Sequence, residues 1–171
     1  MITRSNRIQD ITLTAMLATI LFVQEQILSF LPNIQLTVFL LILYSKNLGF
    51  VRTSIIVLVH VILDNIVMGS FSFHYTPFML IGWLIIPIVV CLLFKKINSN
   101  FVLAISSVFF AIFYALIMSI PNIFITEVDY GAYLLADTPF TTILSISSFV
   151  STLWLYNPCT KCLENLNKKN L

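Results

Sequence analysis

Hydrophobic residues along this chain gather in six continuous runs separated by short polar junctions. They cover Ile8 to Phe30, Ile34 to Tyr44, Leu48 to Met68, Tyr75 to Phe94, Phe101 to Ile120 and Thr138 to Tyr156. A helix needs about 20 residues to cross the hydrocarbon core of a bilayer. Runs of this kind therefore predict membrane helices, whereas ten-residue alternations would mark a barrel. The second run is too short, since about twelve residues rise only about 18 Å. Two readings stay open for it. Either it starts deep beneath the turn Leu31-Pro32-Asn33 and leaves an outward-facing cavity, or it is a shielded interior helix. Pro87, with Gly82 before it, is expected to kink the fourth run. The stretch Ile11 to Val23 after Arg4 and Arg7 could pass for a signal peptide. No small-residue cleavage site follows it, so it is read as a retained first helix.

Charge turns this pattern into a topology. Nine Lys and Arg residues occur. Arg4 and Arg7 precede the first run, Lys46 and Arg52 bracket the second junction, Lys95 and Lys96 end the fourth run, and Lys161, Lys168 and Lys169 close the chain. All fall at junctions of one side, and positive residues collect on the cytoplasmic side of short loops. The expectation is an all-α integral membrane bundle of six transmembrane helices, a single domain over residues 1–171, with both termini cytoplasmic. Composition agrees, because a chain 59% hydrophobic and 9% charged cannot clothe a soluble domain of this size. The slight positive balance acts as topology signal and implies no nucleic-acid partner.

The acids are distributed the other way. Glu25, Asp64, Glu127, Asp129 and Asp137 map to the outer half or outer loops, and only Asp10 and Glu164 to the inner side. Gln24, Gln26, Asn33, Gln35, His60, Asn65, His74, Tyr75, Asn122, Tyr130 and Tyr133 lie around the outer five. The longest connection, Pro121 to Asp137, is placed there too, and long loops in compact proteins tend to be functional. Asp64 lies about 18 Å beyond Arg52 along the third helix, inside the apolar zone. A carboxylate there costs at least about 2.5 kcal/mol and must face protein or water. His60 sits one turn earlier on the same face. The pair reads either as a structural hydrogen bond or as a ligand contact or gate. Glu25 reads as an interfacial side chain, a ligand contact, or part of the stripe Thr14–Ala18–Leu21–Glu25. Trp83 is the one interfacial-type aromatic set well inside, where it can offer a stacking face. Candidate substrate-binding residues are Gln35, His60, Asp64, Asn65, Tyr75, Trp83 and Asn122.

No catalytic set is present. The chain has four glycines and two histidines, and it lacks a phosphate loop, HExxH and GxSxG. No enzyme activity, cofactor or metal is expected. Cys159 and Cys162 form a single CxxC, which cannot complete a tetrahedral zinc site. Thr14/Ala18 and Ala15/Thr19 give two small-xxx-small pairs in the first helix, which permit close helix approach in lipid.

Together these features resemble the substrate-binding S components of energy-coupling factor (ECF) vitamin transporters. The likeness covers the whole chain. It rests on TLTAMLAT in the first helix, LPNIQLTVFLLILYSKNLG, HVILDNIVMGSFSFHYTPFMLIGW, and ADTPFTTILSISSFV near the end. It implies a multi-pass protein of a bacterial plasma membrane that captures a vitamin-like ligand and is energised by a transmembrane scaffold subunit and two ATPase subunits. The family's alanine-xxx-alanine docking motif is incomplete here, with Thr at positions 14 and 19, so Ala15 and Ala18 are the docking candidates. Family knowledge places the ligand at the outer helix ends, capped by the connection between the first two helices. The absence of outer Lys or Arg favours a neutral or cationic ligand, with thiamine, its pyrimidine precursor and cobalamin as candidates. Two alternatives stay open: a cell-shape protein of the MreD type, and an ion-coupled carrier using Asp64 and His60.

Overall fold

In the computed structural model, residues 4–67, 74–97, 99–126 and 128–169 are described, so Met68 and Glu127 lie outside the described residues. The chain forms six helices: α1 (Arg4–Leu28), α2 (Thr37–Leu48), α3 (Phe50–Val67), α4 (Thr76–Leu92), α5 (Asn100–Thr126) and α6 (Tyr130–Lys169). No strand occurs among the described residues. Each predicted run has its helix. Four of them, α1, α3, α5 and α6, are long and apolar enough to cross a membrane, whereas α2 and α4 have only 12 and 17 residues. Large apolar side chains such as Ile11, Ile20, Leu58, Ile66, Phe109, Phe113 and Trp154 point outward, while Thr53, His60, Asp64, Asn65, Ser107, Ser148 and Thr152 are buried. That inversion of the soluble pattern suits a lipid exterior, where the hydrocarbon replaces water around the bundle.

The second helix is a shielded interior helix. Its residues Thr37 through Ser45 are all buried, and α2 touches every other helix. A helix apolar all round packs in this way. Its start is satisfied from α1: the Gln24 Oε1 atom accepts the Leu36 N–H at 2.9 Å, and Gln24 Nε2 donates to the Thr37 hydroxyl at 2.9 Å. Its far end is tied to the end of α4 by Lys46, whose Nζ donates to the carbonyls of Phe94, Lys95 and Ile97 at 2.8–3.0 Å. A cation there also complements the negative end of the α4 dipole. Gly49 alone separates α2 from α3 and takes φ +80°, a region L side chains avoid. At the same end Arg52 bridges to Asp10 at 2.6 Å.

The expected long outer loop is mostly helix. α5 continues through Pro121 to Thr126, and α6 begins at Tyr130, so residues 127–129 alone separate them. Asp129 starts α6: its Oδ2 accepts the Ala132 N–H at 3.1 Å, a helix N-cap that reads in sequence as one more outer acid. Pro121 lies inside α5 and Pro139 inside α6, and the flanking Ser119, Asn122 and Thr138 side chains bond back to the carbonyls of Leu116, Met118 and Leu134 in their own helices. α4 likewise runs unbroken through Pro87.

The Gln24 contacts lead to a stability prediction. Gln24→Ala leaves a helix-start N–H without its partner and is expected to cost about 1–3 kcal/mol. Asp10→Asn, which alters a half-exposed pair, is expected to cost no more than about 1 kcal/mol. Thermal unfolding in detergent compares them, and an equal loss from both would contradict the capping role of Gln24.

Candidate functional site

Three successive residues at the end of α1 reach three different partners. Gln24 serves the start of α2, as described. Glu25 Oε2 lies 3.1 Å from His60 Nε2 on α3 and 3.3 Å from the Thr37 hydroxyl. Gln26 Nε2 donates to Asp64 Oδ1 at 3.1 Å. The predicted His60–Asp64 pair is thus turned toward α1, each member facing its own α1 residue. His60 is 0% exposed and Asp64 5%. Although His60 Nε2 is close to Glu25, the approach is not aligned as a hydrogen bond, and Nδ1 has no partner either. We read this as a close electrostatic contact with unspent hydrogen-bonding capacity on both ring nitrogens.

The other sequence-predicted residues fall into neighbouring ties. Asn65 accepts from the Thr76 hydroxyl at 2.9 Å and donates to the Val61 carbonyl, fixing α3 to the start of α4. The Tyr75 hydroxyl donates to Asn122 Oδ1 at 2.6 Å, and Asn122 Nδ2 donates to the Tyr133 hydroxyl at 2.7 Å, so α4, α5 and α6 meet there. Gln35 Oε1 accepts from Thr37 at 3.1 Å, and the Gln35 carbonyl accepts from Ser147 on α6. Glu25 and Gln35 line a cavity of about 230 Å³ with Ser29, Pro32 and Asn33, beneath the connection of α1 and α2. Asn33 holds φ 55° in that turn, which asparagine tolerates.

Trp83 is buried, at 0% exposure, and its Nε1–H has no acceptor. Its ring face is taken by Tyr114 of α5, with centroids 3.8 Å apart and planes at 17°. Trp83 therefore does not present an open stacking face. Tyr114 escapes sequence reading because nothing along α5 marks it, and only packing across helices reveals it. Its hydroxyl is within electrostatic reach of Glu25 and Asp64.

Comparison of the chain with protein-family models, curated proteins and solved structures finds no match.

The helix-docking candidates separate in the structure. A groove of about 480 Å³ between α1 and α3 is lined by Thr14, Ala15, Ala18, Thr19, Ile55 and Val59, among others. Ala15 lies exposed at this groove, while Ala18 is 4% exposed and belongs to the packed interior. Among the described residues no group of three or more His, Cys, Asp or Glu is disposed to hold a metal ion.

Chemically, the α1–α3 contact offers two carboxylates, two amides and a buried imidazole, with buried donor capacity left on His60 and Trp83. Such a set favours a partner that brings positive or donor groups to the carboxylates and an acceptor to the ring N–H groups. A double-mutant cycle on Gln26→Ala and Asp64→Asn tests the central contact. The coupling expected in thermal unfolding is about 1 kcal/mol. Strict additivity would mean that the two side chains do not act on each other.

Proposed function

We propose that this chain is a multi-pass membrane protein that captures a neutral or cationic micronutrient at its lysine-free end and delivers it through a scaffold subunit coupled to two ATPase subunits. In this reading all six helices cross the membrane, with α2 and α4 as short, enclosed crossings and both termini cytoplasmic. The observation that carries it is the Glu25–His60–Asp64 cluster, in which His60 and Asp64 are buried among apolar helices and Glu25 half-buried, with hydrogen-bonding capacity left over on His60. A carboxylate inside the membrane zone marks a functional site by default, because placing it there costs free energy. Support also comes from the charge separation of the two ends: Lys46, Arg52 and Lys95 lie at one, and Glu25, Asp64 and Asp137 at the other. That field enriches cations over anions at the acidic end. The exposed Ala15 along the α1–α3 groove suits close approach by a scaffold helix.

A second reading is favoured by one specific feature. His60 beside Glu25, with Asp64 one turn on, also suits an ion-coupled carrier in which these groups pass a proton. Uptake measurements separate the two: ATP depletion stops the first, and collapse of the proton gradient stops the second.

Topology is checked on native residues. Cys162 is exposed and is expected to resist a membrane-impermeant maleimide in intact cells, then label after lysis. Labelling in intact cells would overturn the cytoplasmic placement of the C-terminus. For the ligand, small molecules co-purifying with the detergent-solubilised protein are identified by mass spectrometry and titrated back. Asp64→Asn is expected to weaken binding about tenfold or more, the scale of a lost hydrogen bond to a charged group. Glu127→Gln, at an acid that the sequence places in an outer connection, is expected to weaken it less. Tight binding of a dianion would sink the charge argument. Ala15→Trp is expected to abolish uptake while binding to the isolated protein survives; parallel loss of both would make Ala15 a packing residue.

A further inference from the structure

Trp83 and Tyr114 form an asymmetric pair. Trp83 has no exposed surface, and its indole N–H is buried without an acceptor. Buried tryptophans usually find one, so this donor is held unspent. Tyr114 is only half-buried. It lies flat on the Trp83 ring and against the backbone of Gly82, where an added Cβ would sit 2.8 Å from Tyr114 Cδ2 and 3.3 Å from Cε2. The glycine is what lets the tyrosine ring lie there. Of the two rings, only Tyr114 is partly exposed, so it is the one a molecule outside the packed interior meets first. A molecule cannot touch the Trp83 face unless Tyr114 leaves.

We infer that Tyr114 is a specificity-determining residue, which holds the stacking face of Trp83 and yields it to an entering aromatic cation. An indole face attracts a cationic ring, and Tyr114 is in electrostatic reach of Glu25 and Asp64, whose charge favours the same cation. An uncharged, non-aromatic molecule gains neither interaction and does not displace the tyrosine. The inference rests on the proposed capture of a neutral or cationic ligand at this end, and it narrows that ligand to a positively charged planar ring.

The test uses tryptophan fluorescence of the full-length protein in detergent. The chain has two tryptophans, so Trp154→Phe leaves Trp83 as the sole reporter. The probe is 1-methylnicotinamide, a pyridinium cation that quenches indole on contact, with acrylamide as the uncharged, non-aromatic control. Adding Tyr114→Ala is expected to raise the quenching constant for the cation about tenfold, the upper end of what an aromatic pair contributes. Acrylamide is expected to gain much less. Tyr114→Phe keeps a ring in place and is expected to match its parent. Should Tyr114→Ala fail to fold, Gly82→Ala carries the same expectation, because its methyl group drives the Tyr114 ring off Trp83. Equal gains for both quenchers would mean general loosening and would overturn the inference, as would Tyr114→Phe behaving like Tyr114→Ala. The assay involves no scaffold, ATPase or uptake. Failure of uptake with this quenching pattern intact removes the proposed transport function alone, and loss of the pattern with uptake intact removes the role of Tyr114 alone.

Discussion

Burial of α2 on every side is the constraint on which the remaining helices depend. Nine consecutive residues of that helix are enclosed, from its first residue on, so neither these side chains nor its N-terminal end can look to solvent for partners. Orphan N–H and C=O groups at a helix end cost about 1–3 kcal/mol each when left unmet in such surroundings. The answers come from elsewhere in the chain: Gln24 of α1 at one end, and the polar connection through Gln35 to Ser147 of α6. Tyr44 donates to the Leu17 carbonyl at 3.3 Å, fastening the helix to α1 midway. Lys46 then joins the last turn of α2 to the last turn of α4. Placing α2 thus places α1, α4 and α6.

The outer helices meet the same demand differently. α5 and α6 carry Ser106, Ser107, Ser145 and Ser151, all buried, and each hydroxyl bonds back to a carbonyl of its own helix. This satisfies the hydroxyl without a partner on the neighbouring helix, and the small side chain lets the two backbones come close. The apolar residues then face outward, where in water they would be a liability. Polar inside and apolar outside are one arrangement, and it suits a bundle whose solvent is lipid.

Much of this was legible from residue order. Runs of apolar residues located all six helices, since every run is bounded by polar or turn residues. The basic residues marked one end, as Lys46 and Arg52 show. Pro121 reads as the start of an outer loop, yet α5 continues through it to Thr126. Asp129 reads in sequence as one more outer acid, although an aspartate before Tyr130-Gly131-Ala132 also fits an N-cap. The aims of Gln24, Glu25 and Gln26 could not be read, since three adjacent polar residues give no sign of which helix each faces. His60 and Asp64 were found by their cost, whereas Tyr114 carries no such mark. Its role arises only where α4 and α5 touch.

The short length of α2 and the chemistry near Glu25 follow from each other. With 12 residues α2 rises only about 18 Å, and non-helical chain joins its start to the end of α1. Residues 29–36 take that place, and their backbone groups need partners that a regular helix would have supplied internally. Ser29 and Leu31 turn back on Gln26 and Leu28, and Leu36 relies on Gln24. The same turn of α1 stands within reach of α3, so Glu25 meets His60, and Gln26 meets Asp64. A full-length second helix would remove the need for Gln24 at this depth and close the cavity beside Gln35. The start of α2 thereby sets the Thr37 hydroxyl beside the half-buried Glu25 while Gln26 of α1 supplies an amide to the buried Asp64, so each carboxylate has a polar partner inside the apolar bundle.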